Sequence, residues 1–176
     1  RNTVIVLSAD HGVDDIPVIV QDKEFDSDGQ LVFDKRGPSS TGFLGDTIMV
    51  NGNTWPFQTV EKRRYRFRFL NGCQSRFLIL DFSNIPGVEV WQIGNEGGFL
   101  AAPVNLTADN DNRLLMGLAE RADMIVDFTN VPVGNYVLGN VGPDEPFGGG
   151  TPSVDFNPAD PASTGQVIEF RVVPAV

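Results

Sequence analysis

Hydrophobic and polar positions alternate along most of this chain in short runs, broken by Gly, Pro, Asn and Asp. A period of two places successive side chains on opposite faces of an extended strand, so the pattern predicts antiparallel sheet. The clearest run is RRYRFRFLNG (63–72), where Tyr65, Phe67 and Phe69 share one face and Arg64, Arg66 and Arg68 the other. Such a strand turns its aromatic face to a core and its cationic face to water or carboxylates.

Similar readings follow elsewhere. IPVIVQDKEF (16–25) ends at DSDG, where Gly29 is placed to take positive φ, and QLVF (30–33) reads as the return strand. DTIMVNGNTWPF (46–57) carries Asn51-Gly52, a strong hairpin signal, and Asn71-Gly72 is read as a second hairpin turn. SRFLILDF (75–82), VEVWQIG (88–94), DMIVDF (123–128), NYVLGNV (135–141) and QVIEFRVV (166–173) complete a set of roughly nine strands. No amphipathic helix stands out, and the expected fold is an all-β Greek-key sandwich or barrel. GPDEPFGGGTPSVDFNPADPASTG (142–165) has no periodicity, and an irregular stretch of this length in a compact domain usually carries function.

Composition narrows the function classes. The chain has 176 residues, 41% hydrophobic and 20% charged, as expected of a packed globule rather than a disordered chain. Thirteen basic against 23 acidic residues give a net charge of −10, which argues against a nucleic-acid partner or an anionic membrane surface. No apolar run approaches the ~20 residues of a membrane span. One cysteine excludes an intramolecular disulfide.

The candidate chemistry is thin. His11 is the sole histidine and lies among Asp10, Asp14 and Asp15. A zinc or copper site needs several imidazoles or thiolates, and a blue-copper centre needs two His and one Cys; Cys73 has no histidine near it. EFDSDGQ (24–30) lacks the spacing and closing Glu of a calcium loop and reads as a turn. GNEGG (94–98) precedes no helix and reads as a turn between strands. Cys73 reads as a small buried residue, Glu120 and Arg121 as an ion pair or a cap on backbone amides, and Trp55 and Trp91 as core or interface anchors. No residue is assigned a catalytic or metal-binding role. A candidate surface is Phe147, Gly148, Gly149 and Gly150 of the 142–165 loop, where the glycines permit close backbone approach to a substrate or a partner domain.

Several segments, in order, resemble the central (second) domain of a three-domain multicopper oxidase of the laccase, cuprous oxidase and spore-coat laccase group. GVDDIPVIVQDKEFDSDGQL is similar to the segment leading into that domain, and GDTIMVNGNTWPF to its GDT-x-x-VNG-x-x-x-P element. YRFRFLNGCQSRFLIL, VWQIGNEGGFL and LAERADMIVDF resemble its YR-x-R-x-LN, I-x-x-DGG-x-L and GERADV-x-VDF elements. The resemblance implies a cupredoxin-like Greek-key domain over 12–176, with residues 1–11 as a linker or appended segment. It further implies that this domain holds no copper and is inactive alone. Copper is then expected in the other domains of a parent that oxidises phenols or metal ions and reduces O2 to water. Its partners would be the flanking cupredoxin domains, between which it is a spacer lining part of the substrate entrance. The parent would be extracytoplasmic, periplasmic or secreted.

Two other readings remain open. Copper-free relatives of these oxidases serve as binding or cell-division proteins. TVIVLSADHG (3–12) also resembles the Asp-His-Gly element of sulfatases and alkaline-phosphatase-like hydrolases, in which Asp10 and His11 would ligate metal.

Overall fold

A computed structural model describes residues 14–32 and 42–175. Asp10 and His11 lie outside the described residues. Among those described, strands β1 (Asp14–Lys23), β2 (Thr47–Val50), β3 (Asn53–Thr54), β4 (Phe57–Glu61), β5 (Arg64–Asn71) and β6 (Leu78–Asp81) come first along the chain. β7 (Glu89–Asn95), β8 (Gly98–Asn105), the one-turn helix α1 (Leu106–Asp109), β9 (Arg113–Met116), β10 (Arg121–Asp127), β11 (Gly134–Asn140) and β12 (Gln166–Val173) follow. One sheet has the order β3-β2-β1-β5-β10-β7-β8 and the other β4-β12-β11-β6-β9. β1 runs parallel to β5, and β12 parallel to β4, so each sheet joins strands far apart in sequence.

The two sheets meet through the aromatic face of β5. Phe67 is 0% exposed and Phe69 1%. The Phe67 ring lies edge-on to Phe170 of the opposite sheet at 5.5 Å, and Phe170 lies 5.1 Å from Phe128, which contacts Tyr65 at 6.0 Å. Burying each such ring contributes roughly 1.5–3 kcal/mol, and the edge-to-face contacts add to that. On the outer face, Arg64 pairs with Asp127 at 2.7 Å and Arg68 with Asp15 at 2.7 Å, while Arg66 grips Asp123 with two nitrogens. Arg64 sits directly opposite Asp127 in the ladder, whereas Arg66 reaches diagonally to Asp123. These exposed pairs are screened by solvent and fix register more than stability.

Several sequence expectations change. Asn51-Gly52 does turn the β2–β3 hairpin, with φ of 49° and 80°. Asn71-Gly72 does not turn a hairpin: Asn71 is fully buried, donates to the Arg76 and Met116 carbonyls (3.0 Å each), and accepts from the Cys73 amide (3.0 Å). Gly72 is kept small by close packing, since a Cβ there would stand 3.1 Å from Gln21. Of QLVF, the described residues 30–32 give one isolated bridge, Phe25 to Leu31, and the Asp26 carboxylate accepts from the Asp28 and Gln30 amides and closes the turn locally. β8 and β9 carry no period-two signal, since GFLAAPVN is apolar nearly throughout and RLLM is short. α1 is one turn, capped by Asn105, whose side chain accepts from Thr107 and Ala108.

Replacing Phe67 by Ala is expected to destabilise the chain by about 3–5 kcal/mol. Denaturant unfolding monitored by intrinsic fluorescence checks this; a loss below ~1 kcal/mol would contradict the aromatic bridge between sheets.

Candidate functional site

The 142–165 loop connects β11 to β12, and the fold ties it down at both ends. Asn140, 1% exposed, accepts from the Ile79 and Gly142 amides at 3.0 Å and donates to the Thr164 carbonyl at 3.3 Å. Pro143 bridges Pro158, and the Ala159 amide donates to the Gly142 carbonyl at 2.8 Å. From the sandwich, the Trp55 indole N–H donates to the Ser163 carbonyl at 3.1 Å. A stretch without periodicity is therefore built by specific polar contacts.

At the root of the loop lies Arg76, whose side chain is 1% exposed. Its Nε donates to Asp22 Oδ2 at 3.3 Å, and one terminal nitrogen donates to the Gly45 carbonyl at 2.8 Å. The other donates to the Pro143 carbonyl at 3.3 Å and to Asp144 Oδ1. Asp22 Oδ2 also accepts from the Gly45 amide at 2.8 Å, while its Oδ1 has no partner among the described residues. Burial acts to raise the Asp144 pKa, but hydrogen bonds from the Thr164 hydroxyl and Arg76 outweigh it and hold the carboxyl below its ordinary value.

The candidate residues Phe147, Gly148, Gly149 and Gly150 lie on the outward side of this loop. Phe147 is half-buried between Phe77 (5.3 Å) and Phe156 (5.6 Å, perpendicular). Gly148 and Gly149 are exposed with open space around them. Gly150 has a φ of +103°, and a Cβ there would stand 2.6 Å from Asp155. The glycine run is thus split between an open crest and a packed turn.

Sequence reasoning missed Arg76, Asp22 and Asp144, because nothing in their local pattern separates them from surface charges. The Glu120–Arg121 reading holds for Glu120 alone: its carboxylate accepts from the Gly117 amide at 2.7 Å, and Arg121 pairs instead with Glu96 at 2.7 Å. Trp55 is 41% exposed and Trp91 half-buried, so neither is a core residue. Cys73 is buried as expected, and burial pushes its thiol well above the ordinary value.

No group of three or more His, Cys, Asp or Glu side chains among the described residues is arranged to hold a metal ion. No protein-family model matches the chain. It is 38% identical over 156 residues to a laccase of Haloferax volcanii, which covers 85% of this chain and 26% of that protein. The solved McoA multicopper oxidase of Aquifex aeolicus superposes with a TM-score of 0.70 at 36% identity, over 94% of this chain and 33% of its own. This chain is a cupredoxin-like domain of the multicopper oxidase family. A cell division protein FtsP of Sodalis glossinidius is 39% identical over 126 residues, 72% of this chain and 25% of that protein. The domain thus spans a quarter to a third of the length of these larger multi-domain relatives. Copper is implied in such proteins, but the donors present here do not fit it: the one thiol is buried with a raised pKa, and His11 is the one imidazole in the sequence.

Substituting Ala for Arg76 strands the fully buried Asp22 carboxylate and should cost on the order of 3–5 kcal/mol, read from denaturant midpoints. Changing Asp144 to Asn should have a pH-dependent effect. Its lowered pKa contributes stability that is fully present above the ordinary carboxylate value near ~3.9 and is lost as pH falls through the native value. Melting curves should therefore show a constant wild-type advantage at neutral pH that shrinks below about pH 4. An advantage that grows on acidification would contradict the assignment.

Proposed function

We propose that this domain is the copper-free central domain of a longer multicopper oxidase, occupying residues 12–176 with residues 1–11 as its lead-in. In this reading it is a structural spacer between two copper-binding cupredoxin domains and lines part of the substrate entrance with the 142–165 loop. Phe147 to Gly150 are the crest of that lining. The parent oxidises phenols or metal ions and passes the electrons to O2, giving water. It works outside the cytoplasm, periplasmic or secreted. Among the described residues no helix is long and apolar enough to cross a membrane.

The observation that carries this reading is the mismatch between family and donor set. A multicopper oxidase needs imidazoles and a thiolate converging on copper. Here Cys73 is 7% exposed, and its sulfur contacts the Val20 carbonyl at 3.8 Å, deep in the sandwich. Catalysis must then reside in other domains, and rigidity is what this one supplies. The buried arginine anchor gives the loop that rigidity.

The likeness to FtsP favours a second reading, in which the parent has lost its copper ligands and acts in cell division. The two separate outside this chain. An oxidase carries His-x-His and His-Cys-His segments in its flanking domains; a copper-free parent lacks both.

Purified alone, the domain is expected to bind no stoichiometric copper, to lack a blue absorbance and to oxidise no laccase dye. The full polypeptide is expected to bind copper stoichiometrically, to show the blue absorbance and to oxidise the dye. Blue copper in the isolated domain would overturn the spacer reading, and a colourless, inactive full polypeptide would favour the second reading.

A further inference from the structure

The outer face of the seven-stranded sheet is poorly explained as a solvent surface. Its edge strand β8, GFLAAPVN, has no charged residue, and Phe99 stands 75% exposed. Natural edge strands are ordinarily guarded by charge. Beside it, a groove of about 550 Å³ runs over β5 and β10, with Ile19 and Leu70 in its lining. A second depression of about 320 Å³ continues the same face past Trp91, Ile93 and Ile125. Exposed apolar side chains interleaved with paired charges, over depressions of this size, match the mixed composition of a protein–protein interface.

The arginines around Phe99 on this face are already paired in place. Arg66 is held by Asp123, Arg68 by Asp15 and Arg121 by Glu96, and the Arg66 guanidinium lies 5.9 Å from the Phe99 ring centroid. Covering the face around Phe99 would therefore strand none of these arginines, and Glu89, in the lining of the second depression, is the charge left without an ion pair among the described residues. The balance is local, since the whole chain carries −10.

We propose that this face, centred on Phe99, docks a neighbouring domain of the same polypeptide through an apolar surface. The assignment rests on the spacer reading above. Relatives of this domain are roughly three times its length, so most of their polypeptide lies in other domains. A second copy of the chain fits less well. Pro103 offers no N–H, which breaks an edge-to-edge ladder along β8, and two bodies of charge −10 repel.

Thiol labelling of the full-length polypeptide tests this. Phe99→Cys is compared with Asp28→Cys and Val133→Cys, two exposed positions away from this face, with modified sites located by peptide mapping. Cys73 is buried and stays silent. Phe99→Cys is expected to react about tenfold or more slowly than both references, as for a site reached only through local opening, and at the same rate in denaturant. Equal native rates in a polypeptide that contains further domains would overturn the docking face and leave the spacer reading intact. Protection that rises with protein concentration would give the face to a second copy and overturn the assignment. A polypeptide encoding no further domain would overturn both. Should Phe99→Cys fail to fold, hydroxyl-radical oxidation of wild-type Phe99 gives the same comparison, with protection expected and free oxidation contradicting it.

Discussion

The buried guanidinium of Arg76 ties together three stretches that the sheets alone would leave separate. It reaches the end of β1 through Asp22, the approach to β2 through the Gly45 carbonyl, and the root of the 142–165 loop through Pro143 and Asp144. A planar cation with a fixed fork of donors suits this role, since it can satisfy carbonyls and carboxylates at several angles. Burying it is costly unless every arm is occupied, so the loop and both strand ends must arrive together. Specific backbone carbonyls and carboxylates, not apolar area, therefore determine where the longest irregular segment sits.

The aromatic seam between the sheets makes a different contribution. Phe67, Phe128 and Phe170 join strands from both layers and supply the burial that offsets chain ordering. The arginine anchor then selects one arrangement of the loops on that core. Stability and loop placement are thus carried by separate parts of the molecule.

How legible this was in the sequence depended on the range of the interaction. The alternation in RYRFRF states its own geometry, and Asn51-Gly52 states its own turn, because local sterics decide both. The resemblance of ordered motifs to the multicopper oxidases carried the family, and the lone cysteine and histidine argued against a copper site without any coordinates. β8 escaped because an apolar edge strand has no alternation to detect, and α1 because one turn shows no helical period. Asn71 looked like a turn residue, yet its amide is spent on the Arg76 and Met116 carbonyls at long and short range alike. Arg76 itself was invisible, since an arginine before a strand is ordinarily a surface charge. Only the positions of Gly45 and Pro143, remote in sequence, make it a hub.

In the proposed reading this domain is copper-free architecture within a copper protein. An anomalous difference map of the full-length polypeptide, collected above and below the copper absorption edge, tests it most directly. Every copper peak is expected to lie on ligands contributed by other domains, with no density on Cys73 or on any other side chain of this one. A copper peak coordinated by residues of this chain would contradict it.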